Sequence, residues 1–102
     1  VSIPLTLSTG HDPAGRPVLT ARGEIDMANL TTFRAALETA VAQASLVVVD
    51  LTAVDYLDSG AINALFAHAE HLHLICNRTL LPALRISGLT ELTTIETPDP
   101  PA

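Results

Sequence analysis

The stretch from Val47 to Phe66 restricts the possible folds more than any other part of this chain. Val47-Val48-Val49 opens a short apolar β-branched run that suits a strand covered on both faces, and therefore a parallel-type position in a sheet. Further on, Ile62, Leu65, Phe66, Ala69 and Leu72 recur at the spacing of one helical face. Between the two lie the carboxylates of Asp50, Asp55 and Asp58 and the hydroxyl of Ser59. A strand that empties into an acidic turn and a helix start is where an α/β domain displays its working residues. The functional site is expected here.

Composition bounds the rest. A chain of 102 residues forms one domain, large enough to bury about 65% of the surface its unfolded form exposes. Hydrophobic residues make up 48% and charged residues 16%, so the chain folds rather than staying disordered. With only three aromatics, the core is built of Leu, Val, Ile and Ala. The formal charge is −6, and all five basic residues are arginine. That balance lacks the basic footprint needed for direct nucleic-acid binding or for an anionic membrane surface, and it favours a basic protein partner. One cysteine, Cys76, cannot form an intramolecular disulfide, and its apolar neighbours suggest a buried thiol in a reducing compartment. No apolar run approaches the ~18 residues of a membrane span, and no signal segment is recognisable at the start. A cytoplasmic location is expected.

Taken in order, Ile3–Ser8 alternates as a half-buried strand, which Pro4 confines to an edge or a strand start. The segment 9–17 is dense in turn formers and joins it to an extended segment, Val18–Ile25, in antiparallel pairing. Asp26 or Asn29 is expected to cap a helix running to about Gln43, with Leu30, Phe33, Leu37 and Val41 on its inner face. Val47–Leu51 is the central strand, Ser59–Leu72 a second helix and His73–Asn77 a short strand. A third helix over Leu80–Ser87 accommodates Pro82 at its start and ends at Gly88. Leu89–Ile95 forms a last strand or turn, and residues 98–102 are a disordered Pro-rich tail. The result is a single α/β domain over residues 1–97, with a mixed four- to five-stranded sheet and three to four helices packed on it.

Three motifs in this order resemble the STAS domain, specifically stand-alone bacterial anti-sigma factor antagonists. Ala21-Arg22-Gly23-Glu24-Ile25-Asp26 is similar to the family's G-E-hydrophobic-D at the end of its second strand. The segment from Val48 to Ser59 is similar to its strand, D-L, then a hydrophobic residue and D-S. Ile86-Ser87-Gly88-Leu89 is similar to its closing apolar, small, G-L signature, and the likeness covers about Ile3 to Leu92. The resemblance implies a STAS-like fold and a switching protein. The unphosphorylated antagonist binds an anti-sigma factor, often a serine kinase, and frees a sigma factor. Phosphorylation at the start of the helix after the central strand turns that binding off. A phosphate adds about −1.5 to −2 charges to such a contact surface.

The chain departs from the family at the acceptor. The family reads D-S-[S/T]-G-L, whereas this chain reads Asp58-Ser59-Gly60-Ala61-Ile62, which places Gly60 where the acceptor belongs. Ser59 is the phosphorylation candidate, but one residue along a helix turns a side chain by about 100° and moves it ~1.5 Å. Either Ser59 accepts phosphate from a shifted geometry, or the chain is not switched by that route, a reading that needs no gap. The resemblance implies a partner-binding face of Asp26, Asp55, Tyr56, Asp58, Ser59, Gly60 and Asn63. Asp58 and Asp26 have alternative roles as helix caps, each worth about 1 kcal/mol. Asp50 has one in satisfying turn amides.

Other chemistries fit less well. A phospho-receiver site needs a lysine, and there is none. Ser59 lacks the G-x-S-x-G elbow of a serine hydrolase. His68, His71 and His73 lack the cysteine or acidic partners of a metal site. No cofactor and no metal are expected. The alternative function is a STAS scaffold or small-ligand-sensing module of a larger signalling complex.

Overall fold

The computed structural model describes residues 3–98. Five strands form one mixed sheet in chain order: β1 (Thr6–His11), β2 (Pro17–Ile25), β3 (Val47–Leu57), β4 (Leu72–Cys76) and β5 (Thr94–Glu96). β1 is antiparallel to β2, and all other neighbours are parallel. Three helices intervene: α1 (Leu30–Val41), α2 (Ser59–Ala67) and α3 (Leu81–Ser87). This is the α/β arrangement expected from the sequence. The predicted tail, apart from Pro98, lies outside the described residues.

One core joins the sheet to the helices. Leu19, Ala21 and Ile25 of β2 line up with Val47, Val49, Leu51, Val54 and Leu57 of β3 and Leu72, Leu74 and Cys76 of β4. Phe33 and Leu37 of α1, Ala61, Ala64 and Leu65 of α2, and Leu84 of α3 cover them. Burying Phe33 alone is worth about 2–3 kcal/mol. All three helices thus lie on one face, which corrects the expectation that β3 is covered on both. Val48 is nevertheless only 3% exposed. It points to the other face between its register neighbours Val18 and His73, and cross-strand side chains shield it in place of a second helical layer.

Several boundaries differ from the sequence reading. β1 begins at Thr6 because Pro4 has no amide for the ladder. Ile3 instead straps across β2, exchanging bonds with the amide and side chain of Glu24 at 3.2 Å each. The strap passes over Gly23, whose φ of 98° puts its missing side chain toward the Pro4 carbonyl. β3 runs on to Leu57, so Asp55 and Tyr56 are strand residues rather than turn residues. The reason is its partner: β2 pairs with β3 as far as Ile25↔Leu57, and two register irregularities set Leu51, Val54 and Leu57 inward. Asp50, expected to serve turn amides, sits within the strand and accepts from the Thr52 amide (3.0 Å) and hydroxyl (2.7 Å).

α2 stops at Ala67 rather than Leu72, and a short 3-10 turn, Ala69–His71, follows it. Leu72 and Leu74 are required on the sheet, opposite Val47 and Val49. α1 ends at Val41, two residues early. α3 holds Pro82 in its first turn and ends at Gly88 with φ 89°, as the residues predict. Beyond it come a second 3-10 turn, Leu89–Glu91, and β5.

Candidate functional site

The site arises because β2 and β3 end side by side. The Asp58 amide donates to the Ile25 carbonyl at 3.1 Å, so the two chain exits are tied together. β3 passes directly into α2 through Asp58, whose extended backbone (ψ 175°) lets its carboxylate accept from the Ala61 amide at 3.0 Å. This is an N-cap in full. β2 instead crosses the turn Asp26–Asn29 before α1. There Asp26 Oδ1 accepts from the Ala28 amide (3.0 Å), inside the turn. Asn29, the residue before α1, makes no cap bond to the helix. Its Oδ1 accepts from the Asp26 amide (3.0 Å) and its Nδ2 donates to the Glu24 carbonyl (2.9 Å). The expected capping of α1 by either side chain is therefore corrected: both hold the turn, not the helix.

The two helix starts touch. A side chain at Gly60 would bring its Cβ within 2.6 Å of Leu30 Cδ2 and 3.3 Å of Asp58 Oδ1. Leu30 thus fills the space a residue at position 60 would claim. Around this contact lies a depression of about 620 Å³ that brings together Asp26, Tyr56, Asp58, Ser59 and Gly60 from the predicted set. Met27, Ala28 and Leu30 complete it. Asp55 is exposed on β3 outside the depression. Asn63 lies one turn along α2, in an adjoining groove that shares Ser59 and is walled by Ile62, Phe66, Ala83 and Ile86.

Met27 (87% exposed), Ile86 (88%) and Tyr56 (49%) are large apolar side chains left in water around these two depressions. Of these three, only Tyr56 is among the expected partner-binding residues. Ile86 carried a signal nonetheless, because it falls off the Leu80–Leu84 face at a position a buried α3 residue would not occupy. Of the expected inner face after β3, Leu65, Ala69 and Leu72 are buried as the spacing predicts, but within α2 the face is turned toward Ala61 and Ala64. Ala61, Ala64 and Leu65 are its buried residues, while Ile62 and Phe66 are half-buried at the groove.

Among the described residues, Asp12–Arg16 is an ion pair and His73 lies 3.4 Å from Glu96, whereas Asp26, Asp55 and Asp58 have no basic side chain within salt-bridge distance. Ser59 is exposed, and its hydroxyl makes no hydrogen bond among the described residues. His71 bonds the Ser45 carbonyl and His73 lies beside Glu96, so neither is placed to activate Ser59. No group of three or more metal-ligating side chains occurs among the described residues, and no helix among them is long and apolar enough to cross a membrane. An acidic rim with exposed apolar side chains and an unactivated hydroxyl is suited to protein contact.

Comparison with known proteins places this geometry. The family model described as "Mlab, STAS domain" matches residues 11–94. An anti-sigma factor antagonist from Mycobacterium paratuberculosis superposes with a TM-score of 0.83 at 24% identity, over 94% of this chain and 90% of that one. SpoIIAA in its unphosphorylated form gives 0.64 at 19% identity, over 92% and 89%. The phosphorylated form of Bacillus SpoIIAA gives 0.60 at 19%, over 92% of each chain. No functionally curated protein matches significantly. Sharing both the sequence model and the five-stranded, one-sided helical fold, this chain belongs to the STAS domain family.

Proposed function

We propose that this protein is an anti-sigma factor antagonist. It binds an anti-sigma factor of the serine-kinase type in the cytoplasm, releases the sigma factor and so regulates transcription indirectly, with no catalysis of its own. The observation that carries the reading is the junction of the two helix starts, where unpaired Asp26 and Asp58 surround exposed Met27 and Tyr56. Acidic charge of this kind raises the association rate and selectivity toward a basic surface more than it raises affinity. The solved antagonists, whose fold this chain has, lend the partner class.

The protein works without the usual phosphoacceptor. Gly60 offers no hydroxyl, and Leu30 occupies the space beside it. Ser59 is exposed and would receive phosphate only from a neighbouring position on the helix. The same absence of an acceptor favours a second reading, a STAS scaffold or small-ligand-sensing module of a larger signalling complex.

Affinity capture from a lysate of the source organism, with and without ATP, separates these readings when both partners and phosphosites are read by mass spectrometry. The expected result is an anti-sigma kinase with no phosphate on Ser59. Phosphate on Ser59 would replace the constitutive antagonist by a switched one. Absence of any anti-sigma factor would favour the scaffold.

A further inference from the structure

Ile86 projects from α3 with 88% of its surface exposed, at the mouth of a groove of about 540 Å³ lined by Ile62 and Phe66 of α2 and Ala83 of α3. The polar residues lining it are Ser59, Asn63 and Ser87. Ser87 is already committed, donating to the Leu84 carbonyl at 2.7 Å and accepting from the Leu89 amide at 3.3 Å. Both walls are helices, whose backbone groups bond within the helix and offer nothing to an extended segment. A strand or irregular peptide laid here would leave its own amides and carbonyls unpaired against apolar side chains. A helix satisfies its backbone internally and presents only side chains.

Charge sets the occupant's chemistry. The groove meets the acidic depression at Ser59, which lines both. Asp26 and Asp58 lie in that depression and Asp55 stands exposed just outside it, none of them ion-paired among the described residues. From Ser59 to Phe66, α2 rises roughly 10 Å, about two helical turns. We propose that the groove between α2 and α3 seats an amphipathic α-helix of a protein partner. Its apolar residues at i, i+3 or i+4, and i+7 lie against Ile62, Phe66 and Ile86, and its Arg or Lys residues cluster at the end facing Asp26, Asp55 and Asp58. The inference rests on the anti-sigma factor reading only for the identity of the protein that carries the helix.

Photo-crosslinking tests it on the full chain. Benzoylphenylalanine is placed at position 86 in one sample and at position 55 in another, each is irradiated in lysate, and the joined peptides are sequenced. Position 86 is expected to join a segment with apolar residues at helical spacing and basic residues at one end. A synthetic peptide of that segment binds the wild-type chain, and Ile86→Asp weakens the binding at least about tenfold with an unchanged unfolding midpoint. If position 55 joins an anti-sigma factor while position 86 joins nothing, or joins a segment without helical periodicity, the groove proposal is overturned and the function reading stands. If position 86 joins a basic amphipathic helix of some other protein, the groove proposal stands and the function reading falls. A peptide that binds Ile86→Asp as tightly as wild type also overturns the groove.

Discussion

Gly23 and Gly60 illustrate two uses of a missing side chain. At Gly23 the backbone sits at φ 98° directly under the Pro4 carbonyl, so both conformation and space demand glycine. Gly23→Ala is expected to cost about 3 kcal/mol, seen as a lower denaturant midpoint with an unchanged slope. Gly60 has ordinary helical backbone, and the obstacle there is the flexible end of Leu30, which can rotate away. Cys76 belongs to the same scale. Burial in the core at the end of β4 pushes its thiol above the ordinary range, so little thiolate exists at neutral pH. Labelling by a thiol reagent is expected to proceed only in denaturant, and rapid labelling of the native protein would contradict the packing of β4.

At the scale of elements, side chains finish what the backbone ladder leaves open. β4 pairs with β3 only as far as Leu51↔Cys76, which leaves the carbonyls of Thr52 and Val54 without strand partners on that side. Asn77 takes both, donating from Nδ2 at 3.1 and 2.8 Å, while its Oδ1 accepts from the Leu80 amide at 3.0 Å ahead of α3. Asn77→Ala is therefore expected to destabilise by about 2–3 kcal/mol in urea titration, more than a surface substitution should. The β1–β2 turn has a similar organiser. The Asp12 carboxylate accepts from the Arg16 and Ala14 amides and from the Arg16 guanidinium at 2.7 Å, with Gly15 at φ 84° completing the turn. These bonds, the Arg16 amide first, hold its pKa below the ordinary carboxylate value. A depressed carboxylate contributes stability above its unfolded pKa of about 3.9. That contribution is lost as pH falls through the lower folded value. Asp12→Asn should therefore reduce stability at pH 6 and converge with wild type in strong acid, followed by thermal unfolding across pH.

For the whole molecule, placing every helix on one side of the sheet gathers two helix starts at the ends of two adjacent parallel strands. The acidic residues there differ in what they do for the fold. Asp58 caps α2 and Asp26 holds its turn, so charge reversal at either combines lost stability with lost charge. Asp55 is exposed and forms no side-chain bond among the described residues, which makes it the clean probe. Asp55→Arg is expected to slow association with a basic partner severalfold at low salt and to flatten its salt dependence, with unfolding unchanged. Unaltered association kinetics would move the binding face elsewhere.

From the residues alone, the order of strands and helices, the inner face of α1, and the Pro82 start and Gly88 end of α3 were legible, each from local spacing or backbone constraints within a few residues. The family was legible only through the likeness of three motifs taken in order. What lay beyond local pattern was decided by tertiary pairing. β3 extends through the acidic segment because β2 accompanies it to Leu57, and α2 stops early because Leu72 is needed opposite Val47. The face of α2 that meets the core is chosen by the sheet beneath it, which buries Ala61, Ala64 and Leu65 and leaves Ile62 and Phe66 to the groove. Leu30 meets Gly60 across thirty residues of chain. No periodicity encodes that contact, because it exists only where two strands end together.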